Sequence, residues 1–185
     1  PARESATLAS MSTPIRSLWL AGATGLVGHQ ALQQALADPT LQTLHALVRR
    51  PWRGPTAQRL ETPAVDFAAL PELPPAGPEA AALCALGTTI KVAGSQAAFR
   101  AVDHDAVVAF AAAVRSAGVR RLALVSALGA DATSTVFYNR VKGETEAAVQ
   151  ALGFDTLVIA RPSLLVGDRA ALGQPLRAGE RWGLA

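Results

Sequence analysis

Apolar residues fall into short continuous runs, separated by longer segments in which they recur at helical spacing. The first run, Ser17-Leu18-Trp19-Leu20, reads as a buried strand reaching to about Ala21. Leu26, Val27, Leu32, Ala35 and Leu36 follow, with Gln30, Gln33 and Gln34 between them. That is an amphipathic helix, and Asp38-Pro39 stops it. Residues 41–48 read as a second strand, 51–62 as a loop or a poorly formed helix, and 64–67 as a short third strand. Pro71, Pro74, Pro75 and Pro78 then break regular structure before a fourth strand over 80–86. A long helix is expected over 96–117, closed by Gly118 as a C′ glycine. A fifth strand over 121–126, a polar loop over 127–135 and a helix over 137–152 come next. Gly153 closes that helix, and a sixth strand over 156–160 ends at Arg161-Pro162. The remaining C-terminal residues, rich in glycine and arginine, carry no clear pattern.

Strands alternating with helices imply an α/β fold, a parallel sheet covered on both faces. Right-handed crossovers favour the doubly wound Rossmann order 3-2-1-4-5-6. The 185 residues suffice for one domain with a sizeable core. That domain is expected over 15–185, after a disordered arm over 1–14, with Met11 a candidate start. Its C-terminal, substrate-covering part reads as short or absent.

Composition narrows the function. Half the residues are hydrophobic and the net charge is only +3, with scattered arginines and no basic run, so nucleic acid is not an expected partner. The single cysteine, Cys84, excludes an internal disulfide and a cysteine-based metal cluster, and no metal is expected. No apolar stretch is long and clean enough to span a membrane, and no signal peptide is visible. The expectation is a soluble cytoplasmic protein.

Chemistry starts at Gly22-Ala23-Thr24-Gly25-Leu26-Val27-Gly28, between the first strand and the first helix. Three glycines here permit the tight turn, the approach of backbone to a pyrophosphate, and close helix–strand packing. The helix start presents free N–H groups to phosphate. The competing reading is a tight turn with no ligand. About twenty residues further on, an NAD-binding chain carries an acid for the ribose 2′-hydroxyl. Arg49 and Arg50 stand there instead. Guanidinium groups suit a 2′-phosphate, so NADP(H) is the expected cofactor; a solvated turn is the alternative. Asp66 could reach the adenine amino group or simply form a turn.

Ser126 ends the fifth strand, and Tyr138 and Lys142 lie four apart on one helix face. Carbonyl reduction needs a proton as hydride arrives. Tyrosine, with a reference pKa of about 10, becomes a usable acid when an ammonium stabilises its phenolate. A surface lysine beside a half-buried tyrosine is the competing reading.

The glycine turn, Arg49-Arg50, Ser126 and Tyr138-x-x-x-Lys142 resemble the short-chain dehydrogenase/reductase superfamily. Leu83-Cys84-Ala85-Leu86-Gly87-Thr88-Thr89, Val102-Asp103-His104-Asp105, Gly129-Ala130-Asp131 and the Tyr138-to-Glu146 segment resemble its atypical Tat-interacting-protein branch, which is similar to NmrA-like regulators. The similarity covers residues 16–168. It implies an NADPH-binding Rossmann fold, with Ser126 positioning substrate, Tyr138 as acid/base, and Lys142 as ribose contact and tuner of Tyr138. It also implies that Leu86, Gly87 and Thr88 line the cofactor, with Pro162 and Ser163 near the nicotinamide. One departure stands out. Where many members carry a relay Asn, this chain has Asp103-His104-Asp105, with His104 read as a helix-surface residue.

Two functions follow. The first is an NADP(H)-dependent oxidoreductase reducing a small carbonyl-like substrate. The second is a non-catalytic NADP(H)-binding regulator acting through a protein partner. A nucleotide-sugar epimerase is weaker, because the chain lacks room for a sugar-binding domain. By analogy with the superfamily, exposed apolar surface on the 99–114 and 138–152 helices would support a homodimer.

Overall fold

A computed structural model describes residues 14–163. The expected N-terminal arm, Pro14 apart, and the C-terminal end, whose substrate-covering part reads as short or absent, therefore lie outside the described residues. Six parallel strands form one sheet in the order β3-β2-β1-β4-β5-β6, as the crossover rule predicts. They are β1 (Ser17–Ala21), β2 (Thr43–Leu47), β3 (Leu60–Glu61), β4 (Ala80–Cys84), β5 (Arg121–Val125) and β6 (Thr156–Ala160). Register aligns Trp19 with His45 on one side and Ala82 on the other. The central strands read as unbroken apolar runs because both their faces are covered. Leu20 and Ala46 pack beneath Leu32 of α1 (Leu26–Ala37), while Trp19, Ala21 and Leu124 join the larger core on the opposite face.

Two expectations are corrected. The third strand is Leu60–Glu61, not 64–67. Leu44 N–H donates to Arg59 O, which pairs the chain with β2 earlier than expected. At Ala64 only an isolated bridge to Val48 remains. Asp66 then turns the chain, its carboxylate accepting the Ala68 N–H at 2.9 Å.

The second correction concerns the long helix over 96–117. It is preceded by a short helix, α2 (Ile90–Ala93), capped by the Thr89 hydroxyl and ended by Gly94 at φ +85°. Ser95 then caps α3 (Gln96–Arg100). A π-helical turn, Ala101–Asp105, follows, and α4 (Ala106–Ser116) completes the span. The π turn is marked by the Ala106 N–H reaching Ala101 O. A periodicity of 3.6 cannot reveal one inserted residue in a run this rich in alanine.

The last helix, α5 (Phe137–Gln150), packs against the π turn and α4. Phe99, Val107, Phe110, Val114, Val141 and Val149 all point inward from these helices. The most exposed large apolar side chains among the described residues are instead Leu128, Val92, Val158 and Val136.

Candidate functional site

The carboxyl ends of β1, β2 and β4 enclose a cavity of about 950 Å³. Its wall begins at the glycine turn. Gly22 has φ +92°, and a β-carbon on it would stand 2.5 Å from Ala85 O of the neighbouring strand end. Only glycine fits there. The Gly25 N–H donates back to Gly22 O at 2.9 Å, closing the turn. Gly25 then forms the N-cap of α1 with no side chain filling the cap. Gly25, as the N-cap, brings no side chain of its own over the first-turn N–H groups, which leaves room for an anion at the helix start.

Of the residues expected to hold a cofactor, Gly22, Thr24, Gly25, Arg49, Arg50, Leu86, Gly87 and Thr88 line this cavity. Leu26, Val27 and Gly28 stand behind the wall in the first turn of α1. Asp66 is not among the lining residues; its carboxylate holds its own turn, and its neighbour Phe67 faces the cavity instead. Lys91, Val102 and Ala106 also line it and were not expected. Thus Arg49, Arg50 and Lys91 supply three cations to the lining, and no carboxylate joins them.

The expected catalytic residues flank the cavity without lining it. Ser126 is 8% exposed at the end of β5, and its Oγ has no hydrogen-bond partner among the described residues. A buried hydroxyl without a partner is costly unless a ligand or water completes it. Its backbone N–H is fixed by Ala160 O at 2.8 Å. Pro162 O accepts the Leu128 N–H at 2.9 Å, so the ends of β5 and β6 stay paired beyond the strands. Ser163 is exposed beside them.

Tyr138 is half-buried, its ring 5.4 Å from that of Phe99. One turn along each helix, Lys142 Nζ lies 2.7 Å from Asp103 Oδ1, with the lysine side chain 7% exposed. Arg100 pairs with Glu144 on the same two elements, and its hydrogen bond holds the Glu144 carboxyl below the usual range. The Glu146 carboxylate, buried on α5, is gripped by Arg161 through Nε at 3.0 and 3.2 Å and through a second guanidinium nitrogen. These pairs tie the tyrosine helix to α3 and to the end of β6.

Sequence reading missed the contact that Asp103 makes. The signal was present: Phe99, Asp103, Val107, Phe110 and Val114 share one buried helical stripe. A carboxylate on such a stripe demands a buried cation. Cys84, beside this pair, is fully buried, and desolvation pushes its thiol up to about 12, so it is no nucleophile. No group of three His, Cys, Asp or Glu side chains able to hold a metal occurs among the described residues. No described helix is long and apolar enough to cross a membrane.

Comparison with known proteins agrees with this cavity. Residues 22–180 match the model of a family described as NAD(P)H-binding. Protein fmp52, mitochondrial, from Emericella nidulans is 34% identical over 161 residues, covering 81% of this chain and 67% of the relative. Protein HTATIP2 from Rattus norvegicus is 34% identical over 169 residues, covering 89% and 67%. The chain thus spans about two thirds of the length of these relatives. Among solved structures, the Bordetella bronchiseptica enzyme WbmG in complex with NAD superposes with a TM-score of 0.60 at 16% identity, covering 88% of this chain and 61% of that one. At that identity the likeness shows the fold alone. The cytoplasmic expectation is corrected here, because several fungal relatives are named as mitochondrial proteins.

Proposed function

The chain belongs to the NAD(P)H-binding family, and from that premise we propose an NADPH-dependent oxidoreductase of short-chain type that reduces a small carbonyl-like substrate. The observation that carries the cofactor choice is the cavity lining, with Arg49, Arg50 and Lys91 present and no acid at the end of β2. An acid there would accept a hydrogen bond from a ribose 2′-hydroxyl but repel a 2′-phosphate; guanidinium groups do the reverse. The glycine turn and the side-chain-free Gly25 N-cap of α1 suit a pyrophosphate. The mitochondrial designation of the fungal relatives points this chain to the same compartment.

Bound nicotinamide would supply the hydride. The residues of the chain supply the rest. Ser126 Oγ, buried and lacking a protein partner, donates a hydrogen bond to the substrate oxygen and fixes its orientation. The Tyr138 hydroxyl gives its proton to that oxygen as negative charge develops there. Lys142, one turn along the same helix as Tyr138, holds the ribose. The product is the alcohol, carrying the hydride on carbon and the tyrosine proton on oxygen.

Calorimetric titration of the protein with NADPH and NADH tests the reading, followed by turnover assays on aldehydes and ketones. NADPH is expected to bind more tightly than NADH, with turnover on at least one carbonyl. Binding of neither cofactor would overturn the proposal. Tight NADPH binding with no turnover on any carbonyl would favour a cofactor-binding regulator.

A further inference from the structure

Asp103 is 0% exposed. A carboxylate removed from water must have its charge and its lone pairs met by the protein. Both oxygens of Asp103 are engaged, and on different parts of the site. Oδ1 receives Lys142 Nζ at 2.7 Å. Oδ2 accepts the backbone N–H of Thr88, in the loop that walls the cavity, at 2.8 Å.

The π turn sets this aim. By inserting one residue between α3 and α4, it rotates Asp103 relative to a regular helix. Thr145 fixes the turn from α5, its hydroxyl lying 2.9 Å from Asp103 O. The result sits directly behind Gly87. A β-carbon there would stand 3.4 Å from Asp103 Oδ1 and 3.7 Å from Lys142 Nζ.

We propose that Asp103 is the positioning residue for Lys142, holding its ammonium against the Gly87–Thr88 loop so that it meets the cofactor ribose already oriented. The proposal rests on the cofactor reading given above. Its physical basis is the flexibility of lysine. An unheld ammonium on a four-carbon stem would have to lose its rotamer freedom on binding. A carboxylate that grips both the ammonium and the loop removes that freedom in advance. Bare stability gives no reason for the arrangement, since an apolar pair of similar volume commonly stabilises a core at least as well.

The test is a double-mutant cycle with Asp103→Asn, Lys142→Met and the double variant, read by NADPH and NADH affinity and by melting temperature. Asp103→Asn keeps the shape of the side chain and an acceptor for Thr88 N–H, and deletes the charge. We expect it to weaken both cofactors about tenfold, leaving their ratio unchanged because the ribose is common to both. In the Lys142→Met background the same substitution should change affinity by less than about twofold, because Asp103 then has no lysine to position. A purely structural role would weaken binding in both backgrounds, and that result would overturn the proposal. So would wild-type affinity in Asp103→Asn.

Melting temperature reads the pair without cofactor. Lys142→Met leaves a buried carboxylate uncompensated, and the double variant should melt higher than that single variant. A double variant melting no higher would also sink the idea. Failure of the underlying cofactor reading looks different: the wild-type protein itself would bind neither cofactor.

Discussion

Gly28, in the first turn of α1, passes so close beneath Gly22 that a β-carbon on it would stand 2.0 Å from the Gly22 carbonyl oxygen. The helix therefore packs on the turn backbone to backbone. Gly25 is different, since a β-carbon there would meet Gly22 O at 3.3 Å and nothing else inside 3.9 Å. The three glycines do unlike work: Gly22 and Gly28 leave no room for a side chain, and at Gly25 a methyl group needs only a small shift of the Gly22 carbonyl.

That difference separates two substitutions. Gly28→Ala forces the helix off the turn and should cost about 3 kcal/mol of stability, visible in chemical denaturation. Gly25→Ala, whose β-carbon meets Gly22 O at 3.3 Å, should cost less stability than Gly28→Ala yet bind NADPH at least about tenfold more weakly if this turn receives the pyrophosphate as proposed.

Replacing Arg49 and Arg50 with alanine should lower NADPH affinity about 10- to 100-fold, the worth of charge-assisted hydrogen bonds to phosphate. NADH affinity should stay within about twofold. Both side chains are exposed at the end of β2, so the melting temperature should not move. Equal losses for both cofactors in calorimetry would place the arginines elsewhere than at the 2′-phosphate.

Tyr138→Phe preserves the ring packed against Phe99 and deletes the hydroxyl proposed as the proton donor. NADPH affinity should survive within about twofold, while reduction of any accepted carbonyl should fall at least about 100-fold. Unchanged single-turnover hydride transfer in the variant would remove Tyr138 from the chemistry.

The Cys84 thiol, raised by burial from 9.0 to about 12, couples stability to alkaline pH. In the unfolded chain the thiol loses its proton near its ordinary value, while in the folded chain it keeps it. The folded state thus binds more protons above that point. The contribution is fully present below pH 9.0 and is lost as pH rises toward about 12. The unfolding free energy across this window should fall by up to about 1.4 kcal/mol per pH unit from this group alone, read by chemical denaturation at each pH. Cys84→Ala should flatten that part of the slope, and folded wild type should resist thiol alkylation at neutral pH.

Much of the cavity was legible in the linear chain because its signals are local. A positive-φ glycine after a strand, a second at close helix packing and two arginines at the next strand end each depend on a few neighbouring residues. The strand order followed from alternation and crossover handedness. The third strand was misplaced because edge pairing at Leu60–Glu61 rests on β2 rather than on its own sequence. Lys91 and Phe67 escaped notice because their membership of the cavity depends on where α2 and the Asp66 turn carry them.

By itself, then, the sequence determined the parallel doubly wound sheet, the glycine turn at the end of β1, the basic end of β2 and the one-turn spacing of Tyr138 and Lys142. These are consequences of periodicity and local backbone chemistry. Only the tertiary structure decided that Lys142 pairs with Asp103 across 39 residues of chain, that Thr88 joins them, and that three cations meet in one cavity lining. Those contacts need a π turn and the packing of α5 against it, and no local pattern specifies which helices meet or at what rotation.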